Sequence, residues 1–358
     1  MTPISDNPTR RTALVTGGSG FVGGHLIAHL LKTGWQVRAI GRSTSSRAAV
    51  AALGAEPHNG DLSDTAVLER AMEGVDTVFH VAAHFKLWGP VRVFREMNVD
   101  GTRNVVTAAE RAGVRRVVYV SAAAVVMGHP QPQHRVTEDL PLQRMGFAPY
   151  SASKADAEEL LRAASGRRKG LSTVAIRPPF IWGTDMPMLD HMVETVKAGQ
   201  FSWVAGGGQS MSTCHVDNLC HALIMAADQG QDGAAYFVSD NVDTTLKAFL
   251  TQLLATRGVQ PGNRAVPFGI AWMMAGIMDV VWRLLRLKGE PPITRQMLRL
   301  MGKDFTVDIS RAQRDLGYAP VLSPEDGLRI MAQPAIHAHA NACATGSRQG
   351  GMNASVEA

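Results

Sequence analysis

Two residues with the makings of a proton-transfer pair lie in the middle of the chain, in the run Tyr150-Ser151-Ala152-Ser153-Lys154. On a helix the i, i+4 spacing puts both side chains on one face. A phenol titrates near 10, too high for efficient proton exchange at neutral pH, and a neighbouring ammonium favours the phenolate and lowers that value. A tyrosine so poised can act as general acid/base on an alcohol or a carbonyl. Such a reaction needs a hydride carrier, so the chain should also hold a dinucleotide site.

That site is legible near the N-terminus. A β-branched run leads into Thr16-Gly17-Gly18-Ser19-Gly20-Phe21-Val22-Gly23, followed by a helical pattern. Gly17 suits a tight turn, Gly20 lets a pyrophosphate approach the backbone, and Gly23 packs helix on strand. Ser19, Phe21 and Val22 complete the loop, and the helix N-terminus presents free amides to phosphate. After the second strand, where an acidic residue would select NAD, the chain has Gly41-Arg42-Ser43. Arg42 suits a 2′-phosphate, so the expected cofactor is NADP, with NAD as the alternative. Asp61 and Leu62 follow a short third strand, where Asp61 can reach the adenine amino group. His80-Val81-Ala82-Ala83 ends the fourth strand, and small Ala82 and Ala83 leave space for the cofactor. An oxidised nicotinamide ring near Tyr150 would add to the lowering of its pKa.

These residues must be carried by a sheet. From Thr12 to Arg177 short β-branched runs (13–16, 36–40, 77–80, 117–120 and 173–176) alternate with helical stretches such as Phe21 to Lys32 and Asn98 to Ala112. Alternation of this kind predicts an α/β Rossmann fold, a doubly wound parallel sheet with ligands beyond the carboxyl ends of its strands. After Arg177 the texture changes, and a smaller, discontinuous C-terminal substrate lobe is expected. The boundaries follow: 10–180 for the dinucleotide-binding domain, with 214–240 returning to it, 181–213 and 241–332 for the substrate lobe, and 333–358 for a disordered tail. Residues 265–287 are nearly continuous apolar sequence interrupted by Asp279, Arg283 and Arg286. The expectation there is a buried helix or a lid on an apolar pocket, in preference to peripheral membrane contact.

Composition excludes several classes. Of the residues 45% are hydrophobic and 19% charged, an ordinary globular balance that argues against disorder and coiled coil. The net charge is +5 with scattered arginines, so no nucleic-acid partner is expected. Three cysteines, at 214, 220 and 343, make neither a disulfide framework nor a zinc knuckle and suit a reducing compartment. The polar leader before Thr12 lacks an apolar signal core, and the expected location is cytoplasmic. No metal site is expected: His215 and Asp217 lack further ligands, and His337 and His339 fall in the tail.

The chain resembles the extended short-chain dehydrogenase/reductase family (NAD-dependent epimerase/dehydratase-like), and within it the 3β-hydroxysteroid dehydrogenase-like branch. The likeness spans about Thr12 to Leu328. Beyond the glycines, Tyr150 and Lys154 it rests on Asn98-Val99-Asp100-Gly101-Thr102, Thr137-Glu138-Asp139, Arg177-Pro178-Pro179-Phe180-Ile181-Trp182-Gly183, His215-Val216-Asp217-Asn218 and Leu316-Gly317-Tyr318. The resemblance implies that Tyr150 is the general acid/base and that Lys154 holds the nicotinamide ribose. It also implies that Pro178 and Phe180 contact the carboxamide, and that the molecule is a homodimer through helices beginning near Asn98 and Tyr150. One departure is plain. The family's substrate-binding Ser or Thr falls on Ala123, or on Ala122 in a neighbouring register, within Ser121-Ala122-Ala123-Ala124. Ser121 is the one hydroxyl left to stand in as third catalytic member.

The reading that follows is an NAD(P)-dependent oxidoreductase moving hydride to or from a hydroxy or keto group of an apolar, steroid-like or polyketide-like substrate. Two rivals stand beside it. A sugar-nucleotide epimerase or dehydratase with tightly bound NAD would use Arg295 and Arg299 on a substrate diphosphate. A non-catalytic dinucleotide-sensing protein would have no need of Tyr150 or Lys154.

Overall fold

Four of the five β-branched runs become the strands β1 (Thr12–Thr16), β2 (Gln36–Gly41), β4 (Thr77–His80) and β5 (Arg116–Val120) of one parallel sheet, the fifth lies in its strand Ser172–Arg177, and the short third strand expected before Asp61 is β3 (Glu56–Asn59). The computed structural model describes residues 11–129, 131–166 and 170–333. The strands Ser172–Arg177 and Ala235–Phe237 complete the sheet. Its order is β3-β2-β1-β4-β5, then Ser172–Arg177, then Ala235–Phe237. β4 and β5 are buried along their whole length, which is why their side chains do not alternate with polar ones. Strand order reverses between β1 and β4, and the crevice at that switch point is where such a sheet binds ligands.

The helix after β1, α1 (Phe21–Lys32), has the bounds read from its periodicity. The helical stretch expected from Asn98 is less regular, a wide π-turn over Arg95–Asp100 that continues into an α-helix, Gly101–Arg111. The wide turn carries Asn98, whose Oδ1 accepts from the His84 amide at 2.6 Å and whose Nδ2 donates to Ser153 Oγ at 2.9 Å. One buried amide thus ties the loop after β4 to the helix holding Tyr150, a use typical of π-turns near functional sites.

A smaller sheet carries the second lobe. Ser210–His215 pairs antiparallel with Asp243–Thr245 and parallel with both Phe180–Trp182 and Phe305–Val307. Gln133–Val136 also joins this sheet, although it lies within the stretch assigned to the nucleotide-binding domain. Helix Val216–Gln229 then returns to the main sheet. His29 Nε2 meets Asp217 Oδ1 at 3.0 Å across α1, and Asn218 accepts from the amides of Val321 and Leu322.

The apolar stretch forms a helix, Phe268–Leu284, and the expectation of a buried helix or pocket lid is overturned. Its inward face is made of Ala271, Ala275 and Asp279, while Ile277, Val280 and Leu284 are exposed. None of its residues lines the large cavity. A stretch apolar all round carries no period to say which face turns inward, and here the small residues do, because they let the helix sit close to its neighbour. Among the described residues no helix is long and apolar enough to cross a membrane. The leader before Arg11, Arg167-Arg168-Lys169 and the tail beyond Gln333, with His337, His339 and Cys343, lie outside the described residues.

Candidate active site

A cavity of about 1110 Å³ opens beyond the carboxyl ends of β1, β4 and β5. Gly17, Ser19, Gly20, Phe21, Val22, Gly23, Arg42, Asp61, Leu62, Ala82, Ala83, Ser121, Tyr150, Lys154, Pro178 and Phe180 all line it, although they come from seven separated segments.

The glycine loop has the geometry a pyrophosphate needs. Gly17 sits at φ +73°, and a Cβ there would come 2.8 Å from the Ala82 backbone. A Cβ on Gly23 would lie 2.1 Å from the Gly17 carbonyl oxygen, so only glycine lets α1 start this close to β1. Gly20 caps α1 without a side-chain hydrogen bond, and the first turn holds no acidic residue. Its amides and positive dipole end are left for an anion. These residues fit a dinucleotide phosphate group.

At the adenosine end Arg42 is exposed, with Nε 3.6 Å from Asp61 Oδ2. Burial raises the Asp61 pKa, but the Ser63 amide and Arg42 outweigh it and hold the carboxyl below its usual range. An ion pair this exposed stabilises the fold little, so Arg42 is free to turn to another anion. Ser43 and Ser46, not singled out in the sequence, also line the cavity and form a reciprocal cap on helix Thr44–Ala52. The Ser-x-x-Ser spacing right after Arg42 was the signal available.

Between the strands, His80 Nδ1 lies 2.8 Å from Thr16 Oγ1 and Nε2 lies 2.9 Å from Thr102 Oγ1. Thr102 donates to the Asn98 carbonyl, which leaves its oxygen to accept from His80 Nε2–H and assigns the neutral tautomer. Burial, helped by the charge of Lys154, lowers the His80 pKa to about 3.

Tyr150 opens helix Pro149–Ala164, with Pro149 at the first position. Its amide donates to Gln296 Oε1 at 3.0 Å, and the Phe85 ring meets its ring edge-on at 4.9 Å. Lys154 donates to the Val120 carbonyl and lies 4.1 Å from the centre of the Tyr119 ring. Burial pulls the Lys154 pKa down to about 7 against the opposing pull of Glu158. The expected lowering of the phenol is not present: burial pushes the Tyr150 hydroxyl well above its ordinary value. The ammonium is engaged by Val120 and the Tyr119 ring, so desolvation decides.

The expectation for Ser121 is also corrected. Its hydroxyl donates to Glu158 Oε2 at 2.6 Å, and Glu158 is fully buried and paired with Arg177. That proton is committed to the carboxylate. Ala122 and Ala124 form the wall, whereas Ala123 is sealed at 0% exposure, its amide donating to the Pro178 carbonyl. Of the two registers read from the sequence, the one on Ala122 is the one that reaches the cavity wall.

The rest of the cavity lining is rich in apolar side chains. Met186, Met188, Met127, Met211, Leu300 and Met301 belong to it, unannounced by any sequence motif. Lys303 lines the cavity too. His84 also lines the cavity, while Lys86 pairs with Glu290 and Trp88 sits under Arg283, both outside it. Arg295, held by Asp279 at 2.7 Å, and Arg299 do not reach the cavity.

A phosphate-binding turn at the switch point of a parallel sheet, facing a tyrosine and lysine one helical turn apart, is the layout of the extended short-chain dehydrogenases/reductases. The chain is an NAD(P)-dependent oxidoreductase of that class. Within it, residues 14–268 match the 3-beta hydroxysteroid dehydrogenase/isomerase family, and the chain belongs to that family. It is 38% identical over 320 residues, 89% of this chain and 95% of the relative, to the 4-hydroxy-2-methyl-3-oxo-4-farnesyl-3,4-dihydroquinoline-1-oxide ketoreductase of Stigmatella aurantiaca. It is 35% identical over 323 residues, 88% of this chain and 97% of the relative, to the 2-alkyl-3-oxoalkanoate reductase of Stenotrophomonas maltophilia. Among solved structures it is similar to the dTDP-glucose 4,6-dehydratase of Streptomyces venezuelae with NAD bound, at TM-score 0.69 and 26% identity over 89% of this chain and 95% of that one.

Proposed function

We propose that this chain is an NADP-preferring ketoreductase or dehydrogenase acting on a hydroxy or keto group of an apolar, steroid-like or polyketide-like molecule. The observation that carries the reading is the methionine and leucine in the wall of the cavity that Tyr150 also lines. Methionine suits a bulky apolar guest because its side chain adapts. In the reductive direction Tyr150 gives its phenolic proton to the carbonyl oxygen, and in the oxidative direction it takes that proton back. Lys154 is placed to hold the nicotinamide ribose, and the loop from Gly17 to Gly23 holds the pyrophosphate. Bound nicotinamide supplies or accepts the hydride. The ketoreductase and oxoalkanoate reductase relatives support a carbonyl as the reacting group.

A sugar-nucleotide reading loses its support from Arg295 and Arg299, which lie off the cavity wall. A sensor has no use for a buried tyrosine–lysine pair at the wall. We also propose a homodimer through the helices beginning near Asn98 and Tyr150. The deciding experiment follows NADPH oxidation by the purified protein on a panel of apolar ketones, sterones and sugar nucleotides. Turnover with an apolar ketone supports the reading. Turnover confined to a sugar nucleotide, or cofactor binding without turnover on any member, overturns it.

A further inference from the structure

Tyr150 is the second residue of helix Pro149–Ala164. Ala148, which precedes the helix, has no side chain to cap it, and Pro149 carries no N–H. The first amide that needs an acceptor is therefore that of Tyr150. It finds one 146 residues away, in Gln296 Oε1 at 3.0 Å. Gln296 is fully buried, and its other end is engaged as well: Nε2 donates to the Lys86 carbonyl at 3.1 Å. A side-chain amide that must accept from an N–H and donate to a carbonyl has only one orientation, so both of its polar atoms are committed.

Both partners of Gln296 belong to the site. Lys86 follows Phe85, which lines the cavity and whose ring meets the Tyr150 ring edge-on at 4.9 Å. One side chain thus holds the backbone of Tyr150 directly and its ring through the loop. Gln296 itself stands on helix Arg295–Met301, which brings Leu300 and Met301 to the same cavity. At 1.5 Å per residue, Leu300 lies about 6 Å along that helix from Gln296. Gln209 Nε2 donates to the Met301 carbonyl at 2.6 Å, which makes the helix a short strut between the cavity wall and the start of the Tyr150 helix. The loop has a second tie, the Lys86–Glu290 ion pair at 3.0 Å, but that pair is exposed and stabilises little.

We infer that Gln296 is a positioning residue, which makes the placement of Tyr150 depend on how the cavity is filled against Leu300 and Met301. The inference rests on Tyr150 as the acid/base proposed above. A guest pressed on those two residues bears on the helix of Gln296, and through one amide on the backbone of Tyr150 and on Phe85. A part of the substrate remote from the carbonyl then contributes to the rate as well as to affinity. A displacement of about 1 Å at the reacting group can change the rate about a hundredfold.

The test compares kcat and KM with NADPH on a long and a short alkyl ketone, 2-tetradecanone and 2-hexanone, and on a sterone and cyclohexanone, with circular dichroism confirming the fold of each variant. Wild type should show the higher kcat on the larger member of a pair. Gln296→Met fills the space but leaves the Tyr150 amide and the Lys86 carbonyl unpaired. It should lower kcat on the larger ketone at least about tenfold, change KM less than about threefold, and bring the two kcat values together. Phe85→Leu, which breaks the loop side of the link without touching the buried amide, should also shrink the ratio of the two kcat values. The double variant should be no slower than Gln296→Met, because both act through one link, and losses that multiply overturn the inference. Glu290→Gln, on the exposed tie, should leave kcat unchanged. Deuterium exchange at the Tyr150 amide should be about tenfold faster or more in Gln296→Met, and an unchanged exchange rate overturns the inference whatever the substrate. An active wild type whose kcat ratio survives in both single variants overturns the inference alone. A wild type idle on all of these ketones overturns the acid/base reading and the inference together.

Discussion

Ser121 Oγ donates its proton to Glu158 Oε2 at 2.6 Å, inside a fully buried ion pair with Arg177. The Ser121 hydroxyl therefore serves the scaffold. Ser121→Ala removes a charge-assisted hydrogen bond and should lower stability by about 1.5–3 kcal/mol in a denaturant titration. Turnover should fall less than about tenfold. A loss as large as that from removing Tyr150 would show that Ser121 itself holds the substrate.

The two alanines beside it should answer differently. Ala122→Ser adds a donor at the cavity wall and should raise turnover on a simple ketone; a preorganised donor of this kind typically contributes about 3–4 kcal/mol in the transition state. Ala123→Ser puts a hydroxyl in a sealed space and should cost about 1–3 kcal/mol of stability with no gain in rate. Paired kinetics and thermal melts check both, and a rate gain confined to Ala123→Ser would reverse the register.

Tyr150→Phe keeps the ring, and with it the edge contact to Phe85, but removes the proton. Turnover should fall by roughly two to four orders of magnitude. The dissociation constant of the cofactor, read by tryptophan fluorescence, should barely change. Near-normal turnover would remove Tyr150 from the acid/base role.

Arg42 has only the weak exposed pairing with Asp61 to lose. Arg42→Ala should weaken NADP binding by about 1.5–3 kcal/mol, the worth of a charge-assisted contact, and NAD binding hardly at all. Titration with each cofactor measures the difference, and equal losses would mean that Arg42 does not meet a 2′-phosphate.

His80 sets an acid limit. Its folded pKa, about 3, lies below the ordinary 6.5, so the unfolded chain takes up a proton that the fold refuses. The stability this group contributes is complete above pH 6.5 and is lost as pH falls toward 3, at up to about 1.4 kcal/mol per pH unit. Comparing wild type with His80→Gln between pH 6.5 and 5, before most carboxylates titrate, isolates the effect. Parallel stability curves for the two proteins would contradict it.

Much of this was legible because the residues obey short-range rules. Gly17 and Gly23 announce a positive φ and a close helix–strand approach, and Tyr150 with Lys154 announces a shared helix face. Other parts obey no local rule. Whether Ala122 or Ala123 faces the cavity turns on a single residue of register at a strand end, which swaps the two faces. Met127, Met211 and Leu300 reach the cavity from three distant elements that only the folded topology brings together. The phenol of Tyr150 responds to burial, which no spacing reveals. In Phe268–Leu284 the near absence of polar residues erased the period that would have told its two faces apart.

The strand Ala235–Phe237 closes the main sheet only after the chain has laid down Phe180–Trp182, Ser210–His215 and helix Val216–Gln229. During synthesis the outer edge of Ser172–Arg177 therefore leaves the ribosome as an open row of amides and carbonyls, ready to pair with another growing chain. Its own partner arrives much later. The nascent nucleotide fold cannot finish before part of the substrate lobe has been made, so this edge stays unpaired until Ala235–Phe237 has emerged.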